Sequence, residues 1–127
     1  MTCLIDMKLY KDNEIFYDLN DIKAEVIKKD NYEIISFDVE NIKNIIDVYN
    51  EGCILYRKND EFEFKLDTIK NESTYFLKEI DSTFDINIEK CEYKNIDNKI
   101  MIEYKIETDE AVNKIEIVKG GILWKTF

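Results

Sequence analysis

The chain has 127 residues and a formal net charge of −10, from 28 acidic and 18 basic residues. This length fits one domain, which buries about two thirds of its unfolded surface and needs neither a disulfide nor a metal to fold. An acidic surface repels nucleic acid and anionic lipid, so we expect neither as a partner. Histidine and proline are both absent, so the chain lacks the side chain best suited to proton transfer near neutral pH.

The N-terminal sequence and the cysteines predict a cytoplasmic protein. Asp6 interrupts the opening MTCLIDMKLY before an apolar segment develops, which is unlike a secretory signal peptide. No apolar run approaches the roughly 20 residues of a membrane-spanning helix. Cys3, Cys53 and Cys91 are widely spaced, which predicts free, buried thiols rather than a disulfide framework or a zinc or redox motif. We therefore expect no cofactor and no metal.

Polar turn clusters recur about every 8 to 12 residues, a spacing typical of a small all-β domain. We expect one domain over residues 1–127, in which residues 119–127 form a C-terminal tail. Residues 20–30 also fit an amphipathic helix, because Ile22, Val26 and Ile27 have helical spacing, and that alternative stays open. The predicted strands are Thr2–Tyr10, Glu14–Leu19, Ile22–Lys28, Tyr32–Val39, Ile45–Tyr49, Cys53–Lys58, Glu61–Asp67, Ser73–Ile80, Phe84–Tyr93, Lys99–Glu107 and Asn113–Val118.

The segment IIDVYNEGCILYRK predicts a β-hairpin whose loop, residues 50–52, ends at Gly52 in a left-handed conformation. Pairing Tyr49 with Cys53 gives the hairpin two faces. The next strand, EFEFKLD, alternates strictly between apolar and charged residues, which is typical of an antiparallel sheet with one buried side. In this register the inner face carries Ile46, Val48, Ile54, Tyr56, Phe62 and Phe64, and the outer face carries Ile45, Asp47, Tyr49, Leu55 and Arg57.

The segment FDINIEKCEY changes its apolar face between Ile88 and Cys91. A four-residue loop at residues 95–98 pairs Tyr93 with Ile100 and Cys91 with Ile102. One extra residue near Glu89-Lys90 then keeps the apolar sets together, so we predict a β-bulge there. Beyond the bulge, this register pairs Ile88 with Tyr104, Ile86 with Ile106 and Phe84 with Thr108.

Long, bulged strands with one apolar face favour a sheet that coils and closes on itself. Closure also removes exposed edges, which this chain has no proline to protect. The predicted fold is therefore all-β, a single antiparallel up-and-down barrel of about 8 to 10 strands, closed or nearly closed. A two-sheet sandwich is the less favoured alternative.

Four segments, in order, carry a resemblance to a known family: IIDVYNEGCILYRK, EFEFKL, STYFLKEIDSTFDINIEKC and NKIMIEYKIETDEAVNKIEIV. From Tyr32 to Val118 the chain resembles the YwiB-like family of uncharacterised bacterial calycin-type barrels. Arg57, Phe64 and Tyr75 fall where that pattern favours these residue types. The chain departs from the pattern at KEIDST, where the family has a proline- and glycine-containing turn, and in its added GGILWKTF. The resemblance implies a lipocalin-like barrel and brings no established activity.

Few residues suggest chemistry. Glu107, Asp109 and Glu110 form an acidic cluster, which we interpret as a solvated turn because the spacing of a calcium loop is missing. The serines lack the Gly-x-Ser-x-Gly turn of a nucleophile, so we expect no enzyme. Arg57 is the sole arginine. We interpret it as a surface ion pair with Asp47, although inside the barrel it could hold an anionic ligand.

Two functions remain. The first is a barrel that binds a small apolar ligand between inward side chains such as Phe62, Phe64, Ile86, Ile102 and Tyr104. The second is an interaction module or homodimer, in which the outer residues Ile45, Tyr49 and Leu55 and a C-terminal tail containing Trp124 and Phe127 meet a partner. The candidate contact residues for the ligand or partner are Arg57, Tyr75, Tyr104 and Trp124.

Overall fold

The computed structural model describes residues 1–122, with side chains described as far as Gly120. This part of the chain forms eleven antiparallel strands in one sheet. Each strand pairs with the next along the chain, apart from β8 and β9, and β1 also pairs with β11. The strands are β1 (Thr2–Lys11), β2 (Glu14–Lys28), β3 (Glu33–Val39), β4 (Ile42–Val48), β5 (Cys53–Lys58), β6 (Phe62–Asp67), β7 (Glu72–Leu77), β8 (Ser82–Ile86), β9 (Ile88–Ile96), β10 (Lys99–Ile106) and β11 (Val112–Ile122).

The sheet is nearly closed where β8 and β9 meet. These strands are the two ends of the sheet, and only Asn87 separates them along the chain. β8 pairs with β7 and β9 pairs with β10, so one continuous stretch of backbone joins the two ends. The predicted all-β, up-and-down antiparallel barrel is confirmed, and it is nearly closed. The predicted pairing of Phe84 and Ile86 with β10 was wrong, since they lie opposite Tyr75 and Ser73 of β7.

The predicted β-bulge is confirmed at the start of β9. Lys105 pairs with Lys90 and Ile106 pairs with Ile88, so Glu89 has no partner across the ladder. This one additional residue rotates the following side chains to the other face. The apolar side chains before and after the bulge therefore face the same interior.

The loop between β9 and β10 is shorter than predicted. Asp97 and Asn98 have φ angles of 52° and 64° and form a two-residue turn, of the type I′ class that suits the twist of a hairpin. Tyr93 therefore pairs with Ile102, not Ile100. The Asp-Asn pair lacks the usual glycine of such turns, but both residue types tolerate a left-handed backbone.

β2 is one bent strand, where the sequence predicted two strands or a helix over residues 20–30. The predicted break at Leu19 to Ile22 is a change of register against β1. Asp21 has a φ of 57° there, and its backbone N–H donates to Oδ1 of Asp6 at 2.9 Å. A bulge of this kind bends the strand without ending it. The strand alternative for residues 20–30 is therefore the correct one for residues 20–28.

The β4–β5 hairpin differs from its prediction by one residue. Val48, not Tyr49, pairs with Cys53, and Ile46 pairs with Leu55. A shift of one residue reverses the two faces of β5. Leu55, predicted on the outer face, is 2% exposed and lies inside the barrel.

Gly52 serves a different purpose from the one predicted. No described glycine has a positive φ. A Cβ atom added to Gly52 would lie 2.6 Å from both Ile69 Cγ1 and Thr68 Oγ1. The Thr68 hydroxyl accepts the backbone N–H of Cys53 at 2.8 Å and donates to the carbonyl of Cys53 at 3.1 Å, so it is not free to move aside. Glycine is therefore required at position 52 by close packing.

We expect Gly52→Ala to lower the free energy of unfolding by about 1 to 3 kcal/mol, since the added methyl group displaces a tightly packed neighbour. Urea unfolding followed by circular dichroism measures this loss. Asn50→Ala, an exposed change in the same loop, is the matched control and should cost less than about 0.5 kcal/mol. Equal losses in the two variants would contradict the packing role of Gly52.

Fully buried aliphatic side chains fill the middle of the barrel. Ile35, Ile46, Leu55 and Leu66 are cross-strand neighbours on β3 to β6, and each is at most 2% exposed. They belong to one hydrophobic cluster with buried residues of β1, β10 and β11. Interdigitated aliphatic side chains of this kind fill a small barrel and leave little room at its centre. The members from β1, β10 and β11 that are at most 1% exposed are Ile5, Ile100, Ile102 and Ile117.

The segment predicted as a C-terminal tail, residues 119–127, begins inside the last strand. β11 continues to Ile122, which pairs with Cys3, so residues 119–122 belong to the sheet. Trp124 and Phe127, which the prediction placed in a contact surface, lie outside the described residues. The described part of the chain contains no helix long and apolar enough to cross a membrane.

Candidate functional site

A row of inward side chains crosses the sheet next to the filled middle layer. In this row each residue lies opposite the next on the neighbouring strand, from β3 to β8. The row differs from the aliphatic layer beside it because it combines aromatic rings with one amide and one guanidinium. We call this region the arginine end of the barrel. Its members are Phe37, Asn44, Arg57, Phe64, Tyr75 and Phe84.

Arg57 faces the interior of the barrel, which corrects the prediction that it lies on the outer face beside Asp47. It has the same orientation on β5 as the buried residues Cys53 and Leu55. Its Nε donates to Oδ1 of Asn44 at 3.0 Å, and Asn44 is 1% exposed. The prediction was wrong because it followed from the one-residue error in the β4–β5 register.

Asn44 holds Arg57 in place from the neighbouring strand. The two residues are direct partners across β4 and β5. The Asn44 Nδ2 donates to the backbone carbonyl of Ile42 at 3.2 Å, which fixes the orientation of the amide and turns its oxygen toward Arg57. Sequence reasoning missed Asn44, although it shares the parity of the inward residues Ile46 and Val48. A polar residue at that position was the available signal for a polar group inside the barrel.

The charge of Arg57 has no carboxylate partner within 4 Å among the described residues. Burial lowers the pKa of its guanidinium, and the hydroxyls of Tyr104 and Tyr17 partly oppose this shift. Burial likewise raises the pKa of Tyr104, against the influence of Arg57. The structure therefore brings predicted residue Tyr104 into the surroundings of Arg57, together with Tyr17, which was not predicted.

Aromatic rings form the wall of the arginine end on β6, β7 and β8. Phe64 lies opposite Arg57 on one side and opposite Tyr75 on the other. The rings of Phe62 and Tyr75 stack with centroids 5.5 Å apart and an angle of 7° between them. Phe84 continues the wall and is 47% exposed. Tyr75 therefore lies in a wall that solvent still reaches.

Five cavities among the described residues lie away from the barrel centre. The largest, about 740 Å³, is a polar cleft lined by the β2–β3 and β4–β5 loops together with Asn95. Another, of about 420 Å³, is lined by Arg57 and Phe64 of the arginine end together with outer-face residues of β5 to β8. The five cavities that we describe have none of the fully buried isoleucines and leucines in their walls. Space for a ligand therefore lies outside the filled middle layer.

Tyr49 and Asp109 do not join this site. Tyr49 stacks on Tyr32, with ring centroids 4.8 Å apart, in the polar cleft. Oδ1 of Asp109 accepts the backbone N–H of Ala111 at 3.0 Å, as in a local turn. Within residues 1–122, no three acidic or cysteine side chains are grouped so as to hold a metal ion.

The three cysteines are free thiols. Cys3 and Cys53 are buried, while Cys91 is partly exposed. Burial raises the pKa of Cys53 to about 12, and it also raises the pKa of Cys91. A raised pKa keeps a thiol protonated and unreactive at neutral pH. The thiols therefore belong to the packing of the barrel.

Comparison of the chain with protein-family models, with curated proteins and with solved structures finds no match. The chemistry of the arginine end therefore follows from its own side chains.

Proposed function

We propose that this chain binds a small, mostly apolar ligand at the arginine end of the barrel. One observation carries the proposal: the inward aromatic wall remains partly exposed, with Phe84 at 47%, directly beside a fully buried core. Apolar surface that faces inward but stays in contact with water is characteristic of ligand sites. A ligand that covers this wall gains the hydrophobic free energy that the fold leaves unused.

The proposed site lies at the end of the barrel rather than at its centre. Of the residues predicted to surround a ligand, Ile102 is fully buried in the central layer, whereas Phe62, Phe64 and Tyr104 are only partly buried. The packed layer supplies a floor on which a ligand rests. We therefore assign Phe64, Tyr75 and Phe84 to the ligand wall, and Tyr104 to the opposite side.

The alternative, an interaction module, is less well supported. Of the three outer residues that were to form its surface, Leu55 lies inside the barrel. Ile45 and Tyr49 are partly buried. Membership of the calycin group, and of the YwiB-like family within it, is likewise a proposal, supported by the up-and-down order of the strands.

Binding of Nile red, an uncharged hydrophobic dye, tests the proposed function. We expect saturable binding of one dye per folded chain. Phe84→Ser should weaken it about fivefold, which corresponds to about 1 kcal/mol. Phe16→Ser is the matched control, since Phe16 is 62% exposed and lies on β2, outside the aromatic wall of β6 to β8. Native mass spectrometry of the purified protein should also show a bound small molecule.

The proposal fails if the folded chain does not bind the dye saturably. It fails equally if Phe16→Ser and Phe84→Ser lower the affinity for Nile red to the same degree, because the binding surface would then lie elsewhere.

A further inference from the structure

We propose that the ligand at the arginine end is an apolar monocarboxylic acid, whose carboxylate binds the guanidinium of Arg57. This inference rests on the proposed function, and it names the chemical class of the ligand. It follows from three observations: an inward arginine without a counter-charge, guanidinium donors that remain open, and an aromatic wall beside them.

The first observation is the missing counter-charge. A partly buried charge loses hydration, and this cost is normally offset by an opposite charge nearby. The described residues offer Arg57 one neutral hydrogen-bond acceptor, Oδ1 of Asn44, and no carboxylate within 4 Å. The sole arginine of the chain therefore lacks the partner that arginines inside proteins usually have. A bound carboxylate supplies that partner.

The second observation concerns the free donors. Oδ1 of Asn44 accepts a hydrogen bond from Nε of Arg57. The described residues accept no hydrogen bond from its Nη1 or Nη2. No buried side-chain nitrogen or oxygen in this part of the chain lacks a partner, so the two Nη atoms are reached by solvent. Their N–H groups point in parallel at the outer edge of the guanidinium. This edge matches the two oxygens of a carboxylate.

The third observation selects an apolar, singly charged ligand. Phe64 lies directly opposite Arg57 on β6, so a molecule with its anion at Arg57 extends along the aromatic wall. The net charge of −10 repels any anion, and it repels a dianion such as a phosphate monoester about twice as strongly. A carboxylate carries only one charge and still forms two hydrogen bonds with the arginine.

Two probes of the same shape test the inference: 1-naphthoate, which is a carboxylate, and 1-naphthalenemethanol, which is neutral. Isothermal titration calorimetry at pH 7.5 should show naphthoate binding about tenfold more tightly, since hydrogen bonds between charged groups exceed neutral ones. Arg57→Gln should abolish this preference, because the loss of affinity is larger for naphthoate than for the alcohol. Lys58→Gln removes an exposed cation from the next position of β5. This control variant should keep the preference for naphthoate over the alcohol.

A measurement on the unaltered chain guards against misfolding of the Arg57 variant. Because the chain has a single arginine, its Nε–H gives one identifiable signal in a ¹⁵N-correlated NMR spectrum. Naphthoate should shift this signal saturably, and the alcohol should not.

The outcomes separate the two proposals. If both probes bind equally and the Arg57 signal does not respond to naphthoate, the carboxylate inference is overturned while the apolar site stands. If neither probe binds, both proposals fall.

Discussion

Replacing Leu55 with alanine is expected to lower the free energy of unfolding by about 3 kcal/mol, one of the largest single losses the chain can show. Leu55 is 2% exposed and lies between Ile46 and Leu66 in the filled middle layer. Its truncation removes buried methyl groups and leaves a cavity that the rigid strands around it cannot close. Urea unfolding, with circular dichroism as the probe, measures the loss as a lower midpoint with an unchanged denaturant slope.

Ile54→Ala is the matched control, since it truncates the adjacent residue of the same strand. Ile54 is only partly buried and faces outward, opposite Asp47, so its truncation should cost less than about 1 kcal/mol. The hairpin register predicted from sequence placed Ile54 inside and Leu55 outside, which reverses the order of the two losses. If Ile54→Ala lowered the free energy of unfolding more than Leu55→Ala, the result would contradict the structure and support the register predicted from the sequence.

The sequence predicted the strands well because strict alternation on a one-sided strand determines which residues face inward. Phe64, Ile86 and Ile102 were predicted to share one interior. Ile102 belongs to the core and Phe64 packs against it, whereas Ile86 is only partly buried on β8. The bulge at Glu89 could also be predicted, because only an extra residue there reconciles the two apolar sets. In each case a strand has one apolar and one polar face, so the wrong register would expose an apolar row.

The candidate site was harder to predict because β4 and β5 are apolar on both faces. Ile45 and Ile46 are adjacent, as are Ile54 and Leu55, so a shift of one residue leaves an apolar row on either side. The pattern therefore did not determine where Arg57 points. Only the loop length distinguishes the two registers, and the structure makes that loop four residues, from Tyr49 to Gly52. Asn44 indicated a polar group inside the barrel, but both registers give it a polar partner on β5, which is Lys58 in the predicted register and Arg57 in the structure.

Alkaline pH is expected to destabilise the barrel through Cys53. Burial raises the pKa of this thiol from 9.0 to about 12, so between these values the unfolded chain has released a proton that the folded chain still holds. The protonated Cys53 thiol therefore contributes fully to the free energy of unfolding below pH 9. This contribution falls as pH rises toward 12, at up to about 1.4 kcal/mol per pH unit. Tyr93, whose pKa burial raises from 10.0 to about 12, acts in the same direction.

Urea unfolding of wild type and Cys53→Ala at intervals from pH 8 to pH 11 tests this linkage. At pH 8 the variant should be less stable by about 1 kcal/mol, because it loses a buried sulfur atom. The difference in free energy of unfolding between wild type and Cys53→Ala should narrow and then reverse as pH rises, because the variant has no thiol proton to lose. Leu55→Ala removes no titrating group, so the difference in free energy of unfolding between this variant and wild type should stay constant over the same pH range. If the stability of Cys53→Ala fell as steeply as that of the wild type, Cys53 would not be the group through which alkali weakens the fold.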